Sequence, residues 1–167
     1  IIANNKGPLS PSDLLSNQDY EPLRDPLLRM GRETKDARRF RLDEHFSLLF
    51  ENRVTAWLQV QEEKRWITTP STEHINELLA RYNVLIAQPG ELRACLFLDS
   101  RDPEITERYV TTLNVEDIQL KLSLGGWWLN AHSLESNQLG LEAVNYVIFE
   151  RVKRAHTQDG FVEWAPD

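Results

Sequence analysis

Cysteine is nearly absent: Cys95 is the one copy in 167 residues. A lone thiol cannot close an intrachain disulfide or assemble a cysteine zinc site within one chain, and it fits a reducing compartment. It lies inside the apolar run Leu92-Arg-Ala-Cys-Leu-Phe-Leu-Asp99, where a small buried side chain is a better reading than a nucleophile. Long apolar runs are missing too. None approaches the roughly eighteen residues that would cross a bilayer, and the opening Ile-Ile-Ala-Asn-Asn-Lys lacks the apolar core of a signal peptide. No membrane is expected, and a cytoplasmic location is. Because the first residue is not Met, the natural start is expected to lie further upstream.

Positive charge is in deficit. A formal net charge of −7 removes the basic face that sequence-independent nucleic-acid binding requires, so no nucleic-acid partner is expected. There is no glycine-rich phosphate loop, His-Glu-x-x-His, Gly-x-Ser-x-Gly or Cys-x-x-Cys, which excludes families rather than catalysis. The four histidines, His45, His74, His132 and His156, show no ligand spacing.

What is present centres on His45-Phe-Ser-Leu-Leu-Phe-Glu-Asn-Arg53, read as a strand, which runs into a helix from about Phe50 to Trp66. At about 100° per residue, Glu51, Thr55, Gln59 and Glu62 share a quarter of that helix's circumference. Val54, Leu58 and Trp66 flank this polar stripe, and Ala56, Trp57 and Val60 lie opposite, so the helix is expected to be buried on more than one side. The stripe reads either as a solvated face or as the wall of a polar pocket. In the pocket reading Glu51 and Glu62 need compensation, and Arg53 and Arg65 are the nearest cations in sequence.

With 167 residues, five Trp and six Phe the chain can bury one core, and one domain over residues 10–152 is expected between a flexible end (1–9) and a polar tail (153–167). Pro8 to Leu15 reads as a short helical turn opened by Ser10 and Pro11, a peripheral clasp. From Asp19 to about Lys35 a broken surface helix is expected. Arg24, Arg29, Arg32, Lys35, Arg38, Arg39 and Arg41 make this the most basic part of the chain, interleaved with Glu21, Asp25, Glu33 and Asp36. A hairpin follows over about Arg39 to Phe50, turning at Asp43-Glu44. Ile75, Leu78, Leu79 and Tyr82 give a helix from about Ser71 to Leu85 one apolar face. Leu92 to Asp99 reads as a central strand, and Asp102-Pro-Glu104 as a helix start. Ile118 to Leu124 alternates, turns at Gly125-Gly126 and returns as Trp127 to His132, pairing Leu124 with Trp127 and Leu122 with Leu129. A last strand spans Ala143 to Glu150. This order implies an α+β fold, helices packed on a largely antiparallel sheet.

The run His45…Leu48-Leu-Phe-Glu-Asn-Arg53, then Gln59-Val-Gln-Glu62 and Arg65, resembles the signature of a bacterial family called domain of unknown function 3501. Ala80-Arg-Tyr-Asn83 with Leu85, the strand Ala94 to Asp99, and Asn114-Val-Glu-Asp117 agree with it, so the resemblance covers residues 10 to 152. Asp43-Glu44 stands where the family usually has a Gly-Pro-type turn, and the polar C-terminal extension departs as well. The resemblance implies a cytoplasmic bacterial protein in a redox or oxidative-stress context, since some members are encoded near rubrerythrin-like and iron–sulfur proteins.

Three functional expectations follow. The first is an accessory protein that binds a redox or metal-handling protein partner through Arg32, Arg38, Arg39 and Trp128, with self-association left open. The second is a metal-binding protein or enzyme: His45, Glu51 and Glu62 have ligand types suited to iron, manganese or zinc, in a pocket with Arg53, Thr55, Gln59 and Arg65. The third is a sensor of an anionic small ligand, gripped by Arg53 and Arg65.

Overall fold

Short polar caps decide where the helices of this chain begin. In the computed structural model, which describes residues 7–110, 119–124, 127–133, 144–149 and 160–165, Ser16 accepts a hydrogen bond from the Asp19 amide at the head of α1 (Asn17–Tyr20). Ser71 does the same for His74 at the head of α4 (Thr72–Asn83). Each satisfies an amide that the helix cannot. Between them lie α2 (Arg24–Asp36), entered through a 3-10 turn at Glu21–Leu23, and α3 (Arg53–Lys64). The helix expected from Asp19 to Lys35 is therefore broken near Pro22, where a missing amide makes continuation costly. The fold is α+β, with every strand pairing antiparallel, the class and the sheet type that the segment order implies.

The chain divides into two compact units, Ile1–Arg38 with Glu51–Ile86, and Arg39–Phe50 with Ala87–Asp167. The first is helical. Its core gathers Leu9, Tyr20, Ala56, Trp57, Leu58, Val60, Leu78, Leu79 and Ile86, with the Tyr20 ring set edge-on to Trp57 at 6.1 Å. Leu78 and Leu79 are buried and Ile75 and Tyr82 half-buried, as expected of the apolar face of α4. Buried residues cover most of the circumference of α3, which accounts for its weak amphipathic pattern.

Gly31 lets α2 approach α3 closely. A β-carbon there would lie 2.1 Å from Leu58 Cδ2, and Leu58 is buried. Gly31→Ala gains up to about 1 kcal/mol of helix propensity, but overpacking costs about 1–3 kcal/mol, so a net loss is expected. Leu58→Ala in the same chain makes room for the methyl. Urea denaturation of the two single variants and the double variant should therefore show a favourable coupling above about 0.5 kcal/mol. An additive cycle would remove the close approach as the reason for glycine.

The second unit is the sheet, built from β1 (Arg39–Arg41), β2 (Phe46–Phe50), β3 (Leu92–Leu98), β4 (Gln119–Leu124), β5 (Trp127–Ser133), β6 (Val144–Phe149) and β7 (Gly160–Ala165), with α5 (Pro103–Val110) after β3. The strand order is β1-β2-β3-β6-β5-β4-β7. The β1–β2 turn needs no glycine, because Asp43 Oδ1 accepts the His45 and Phe46 amides at 2.7 and 2.8 Å, a side chain doing the work of a backbone turn. Leu124 faces Trp127 and Leu122 faces Leu129, the expected register. One face of the sheet forms a single core from Phe46, Leu48, Ala94, Leu96, Leu98, Leu120, Leu122, Val147 and Phe149. Ser47, Leu49 and Cys95 on the other face are buried too, so β2 and β3 are covered on both sides and the Cys95 thiol is part of the packing.

Within the expected polar tail, residues 160–165 form β7 against β4, with Lys121 opposite Glu163. Its apolar residues Phe161, Val162, Trp164 and Ala165 are a strand's worth, masked in the sequence by the polar stretch before them. The first six residues, the Gly125-Gly126 turn, Asn114 to Asp117 and the loop after Ser133 lie outside the described residues. Among the described residues no helix is long and apolar enough to cross a membrane.

Candidate functional site

The polar stripe of α3 divides into a buried end and an accessible end. At its start Asn52 Oδ1 accepts the Thr55 amide and Thr55 Oγ1 accepts the Asn52 amide, both at 2.9 Å, a reciprocal cap. The buried Thr55 hydroxyl also meets the carboxylate of buried Glu51. Arg38, expected at an exposed partner surface, is half-buried, with Nη2 3.5 Å from the Glu51 carbonyl.

The buried cations of α3 hold the N-terminal segment. Arg53 Nε donates to the Gly7 carbonyl at 3.1 Å and Nη2 lies 2.8 Å from Asp13 Oδ1. Trp57 Nε1 donates to the Asp13 carbonyl at 2.8 Å, and Lys64 Nζ to the Leu15 carbonyl and Asn17 Oδ1 at 2.7 and 3.0 Å. From α4, Asn83 accepts the Leu9 amide at 2.6 Å and donates to the Leu9 carbonyl at 2.9 Å. The expected clasp is thus fixed through its main chain, with Leu9 buried. Burial pushes the Lys64 ammonium below its ordinary pKa. Burial alone would raise the Asp13 carboxyl, but hydrogen bonds from Arg53 and Ser10 outweigh it and hold the group below the usual range. Among the described residues, none hydrogen-bonds either amide atom of Gln61, also buried on α3.

The far end of the stripe faces water. Arg24 grips Glu62 with two hydrogen bonds, Nε to Oε1 at 2.9 Å and Nη2 to Oε2 at 2.7 Å, and the Tyr20 hydroxyl donates to Oε1 at 2.9 Å. The Arg24 bonds hold Glu62 below the usual carboxylate range against partial burial, with Tyr20 adding to the effect. Burial first, then Glu62, raises the Tyr20 phenol. Arg65 donates to both Glu21 oxygens at 2.5 and 3.2 Å, and its guanidinium lies 5.6 Å from the centre of the Trp66 ring. Trp66, expected among the apolar flanks of the helix, instead lies two residues beyond the end of α3 and is 81% exposed, the most exposed of the large apolar residues described. Half-buried Glu63 takes Arg81 and the Tyr82 hydroxyl, each at 2.6 Å.

The helix expected from Phe50 begins instead at Arg53, because Asn52 caps it in an extended conformation; Glu51 therefore precedes α3 while Glu62 sits in its last turn, and the two carboxylates have different partners. His45 belongs to the sheet unit and pairs with Glu44 at 3.2 Å. Among the described residues no three His, Cys, Asp or Glu side chains converge as a metal site. Arg53 and Arg65 are each engaged by a carboxylate, and Gln59 is half-buried between Thr55 and Glu62 on the stripe. Of the expected partner surface, Arg32 is exposed on α2, while Arg39 and the half-exposed Trp128 belong to the sheet unit. Sequence reasoning missed Asp13, Tyr20, Glu21 and Arg24 as the partners of α3 and its C-terminal cap Arg65, and missed the exposure of Trp66 just beyond it.

A family model described as protein of unknown function (DUF3501) matches residues 8–160. A crystal structure of a novel protein of unknown function from Burkholderia pseudomallei K96243 shares the fold, with a TM-score of 0.75 at 21% identity, over 86% of this chain and 77% of that one. No curated protein matches.

Proposed function

The chain belongs to the DUF3501 family, and from that premise we propose that it is a small accessory protein that works by binding another protein, one that handles metal or redox equivalents of the iron–sulfur type. The observation that carries the binding role is Trp66. A tryptophan with 81% of its surface exposed forgoes the burial that usually holds this residue inside. Its neighbour Arg65 is held by Glu21 and lies near the ring, so the cation and the aromatic are side by side before a partner arrives. Tryptophan and arginine are the residues that most often dominate binding energy at protein interfaces. The redox or metal-handling character of the partner rests on the family resemblance.

Affinity capture from cells of the source organism, comparing the wild type with Trp66→Ala, tests both parts. The variant should fold with stability within about 0.5 kcal/mol of wild type, as for exposed substitutions generally. Its affinity for the captured protein should fall about 30-fold, matching the roughly 2 kcal/mol that defines an interface anchor. Equal capture by both proteins would end the role of Trp66. Iron and sulfide in the captured partner would support the finer reading, and a partner lacking both would reject it.

A further inference from the structure

We propose that β1 is a docking edge for an extended segment of another protein that carries acidic side chains at alternate positions. β1 is the terminal strand of the sheet and all three of its residues are exposed. Its pairing with β2 fixes which main-chain groups are left. The Leu42 amide donates to the Phe46 carbonyl at 2.9 Å, and Phe40 faces Leu48 two residues on. Alternation then turns the amides and carbonyls of Arg39 and Arg41 away from β2, toward the open edge. Two donors and two acceptors are presented at the spacing that one more antiparallel strand would use.

The side chains state what that strand should carry. Residues directly opposite on a pair are neighbours, and opposite charges there are favourable. Arg39 and Arg41 share one face. Arg39 commits Nη1 to Ser47 at 2.6 Å, with Asp99 3.6 Å away, and its guanidinium lies 4.6 Å from the centre of the Phe97 ring. Arg41 commits Nε and Nη2 to the carbonyls of Asp43 and Glu44 at 2.9 and 3.0 Å. Among the described residues, Nε and Nη2 of Arg39 and Nη1 of Arg41 have no protein acceptor, and both guanidinium groups are already positioned. On the opposite face Phe40 is 49% exposed and rests edge-on against Phe50 at 5.7 Å, ready to stack beside an apolar side chain. The matching sequence is acidic–apolar–acidic. A second copy of β1 does not fit, because pairing about a two-fold at Phe40 would set Arg39 of one copy against Arg41 of the other. The shortness and charge that protect this edge from indiscriminate pairing also select its ligand. This docking edge uses none of the residues invoked for Trp66, and its failure would leave the accessory role untouched.

The probe is a fluorescein-labelled peptide, Ser-Glu-Val-Glu-Val-Glu-Ser, titrated with the full chain and followed by anisotropy. In an added strand the glutamates oppose the arginines, so glutamate amides face β1 and valine amides face water. N-methylation of the glutamate nitrogens should weaken binding at least about tenfold, the loss of one or two hydrogen bonds. N-methylation of the valine nitrogens should change it less than about threefold. An isomer with its glutamates adjacent, and the protein variant Arg39→Ser with Arg41→Ser, should each lose about tenfold or more. Absence of binding at millimolar protein overturns the proposal. So does equal binding of the two N-methylated peptides or of the clustered isomer, either of which would mean charge attraction without strand addition. The peptide-side changes leave the protein untouched, so a variant that misfolds cannot obscure the result.

Discussion

Replacing Trp57 by alanine is expected to destabilise the chain by about 3–5 kcal/mol, a large part of the 5–15 kcal/mol that holds a domain together. Trp57, on α3, is the largest fully buried side chain among the described residues, meets Tyr20 edge-on and belongs to the helical core. Alanine removes the ring contacts and leaves a cavity that rigid neighbours fill incompletely. It also strips the Asp13 carbonyl of its 2.8 Å donor. Trp57→Phe separates the two contributions: it keeps most of the volume and loses the indole N–H, for an expected cost of about 1–3 kcal/mol. Urea denaturation followed by circular dichroism measures both. A loss below about 1 kcal/mol for the alanine variant would mean that Trp57 is not where the helical core is anchored.

The second large effect belongs to Arg53, which is 7% exposed beside Asp13 at 15%. Arg53→Met keeps the aliphatic stem and removes the charge, leaving a nearly buried carboxylate that, among the described residues, keeps only its hydrogen bonds from Ser10. Breaking a buried pair from one side costs about 3–5 kcal/mol. The pH dependence identifies the source. The folded Asp13 carboxyl titrates below its ordinary range, because Arg53 and Ser10 outweigh its burial. A depressed folded pKa contributes stability that is complete above the unfolded value, about 4, and is lost as pH falls through the folded value. In the methionine variant burial acts unopposed by Arg53, so that contribution disappears. The gap between the two proteins should be widest near pH 7 and close below about pH 4. A gap of the same size at pH 3 and pH 7 would assign the loss to packing instead.

These two positions also mark what could be read ahead of the structure. The register of the β4–β5 hairpin was legible, because a two-residue turn at Gly125-Gly126 together with period-two alternation sets Leu122 opposite Leu129. The multi-sided burial of α3 followed from apolar residues placed around its whole circumference. The partners of its polar groups did not. Proximity along the chain suggests Arg53 and Arg65 for Glu51 and Glu62, whereas Glu62 is taken by Arg24 and Tyr20, Arg53 by Asp13 and Arg65 by Glu21. Those partners lie about forty residues upstream, and no helical or strand period links them to α3. β7 was hidden for a related reason, since its mate β4 lies about forty residues before it.

The two units are threaded through each other in sequence, because β1 and β2 leave the helical unit at Arg39 and the chain returns to it at Glu51. On the ribosome this imposes an order of events. The helical unit has all of its residues by Ile86, while β2 must wait for β3, which begins at Leu92, to take its second edge. A lone two-stranded ribbon is marginal in water. The nascent chain therefore carries Phe46, Leu48 and Phe50 without their β3 partners, between helical segments whose residues are all synthesised. That interval is where a trigger-type chaperone would find its apolar target, and where slowed translation past Ile86 would expose the protein to aggregation.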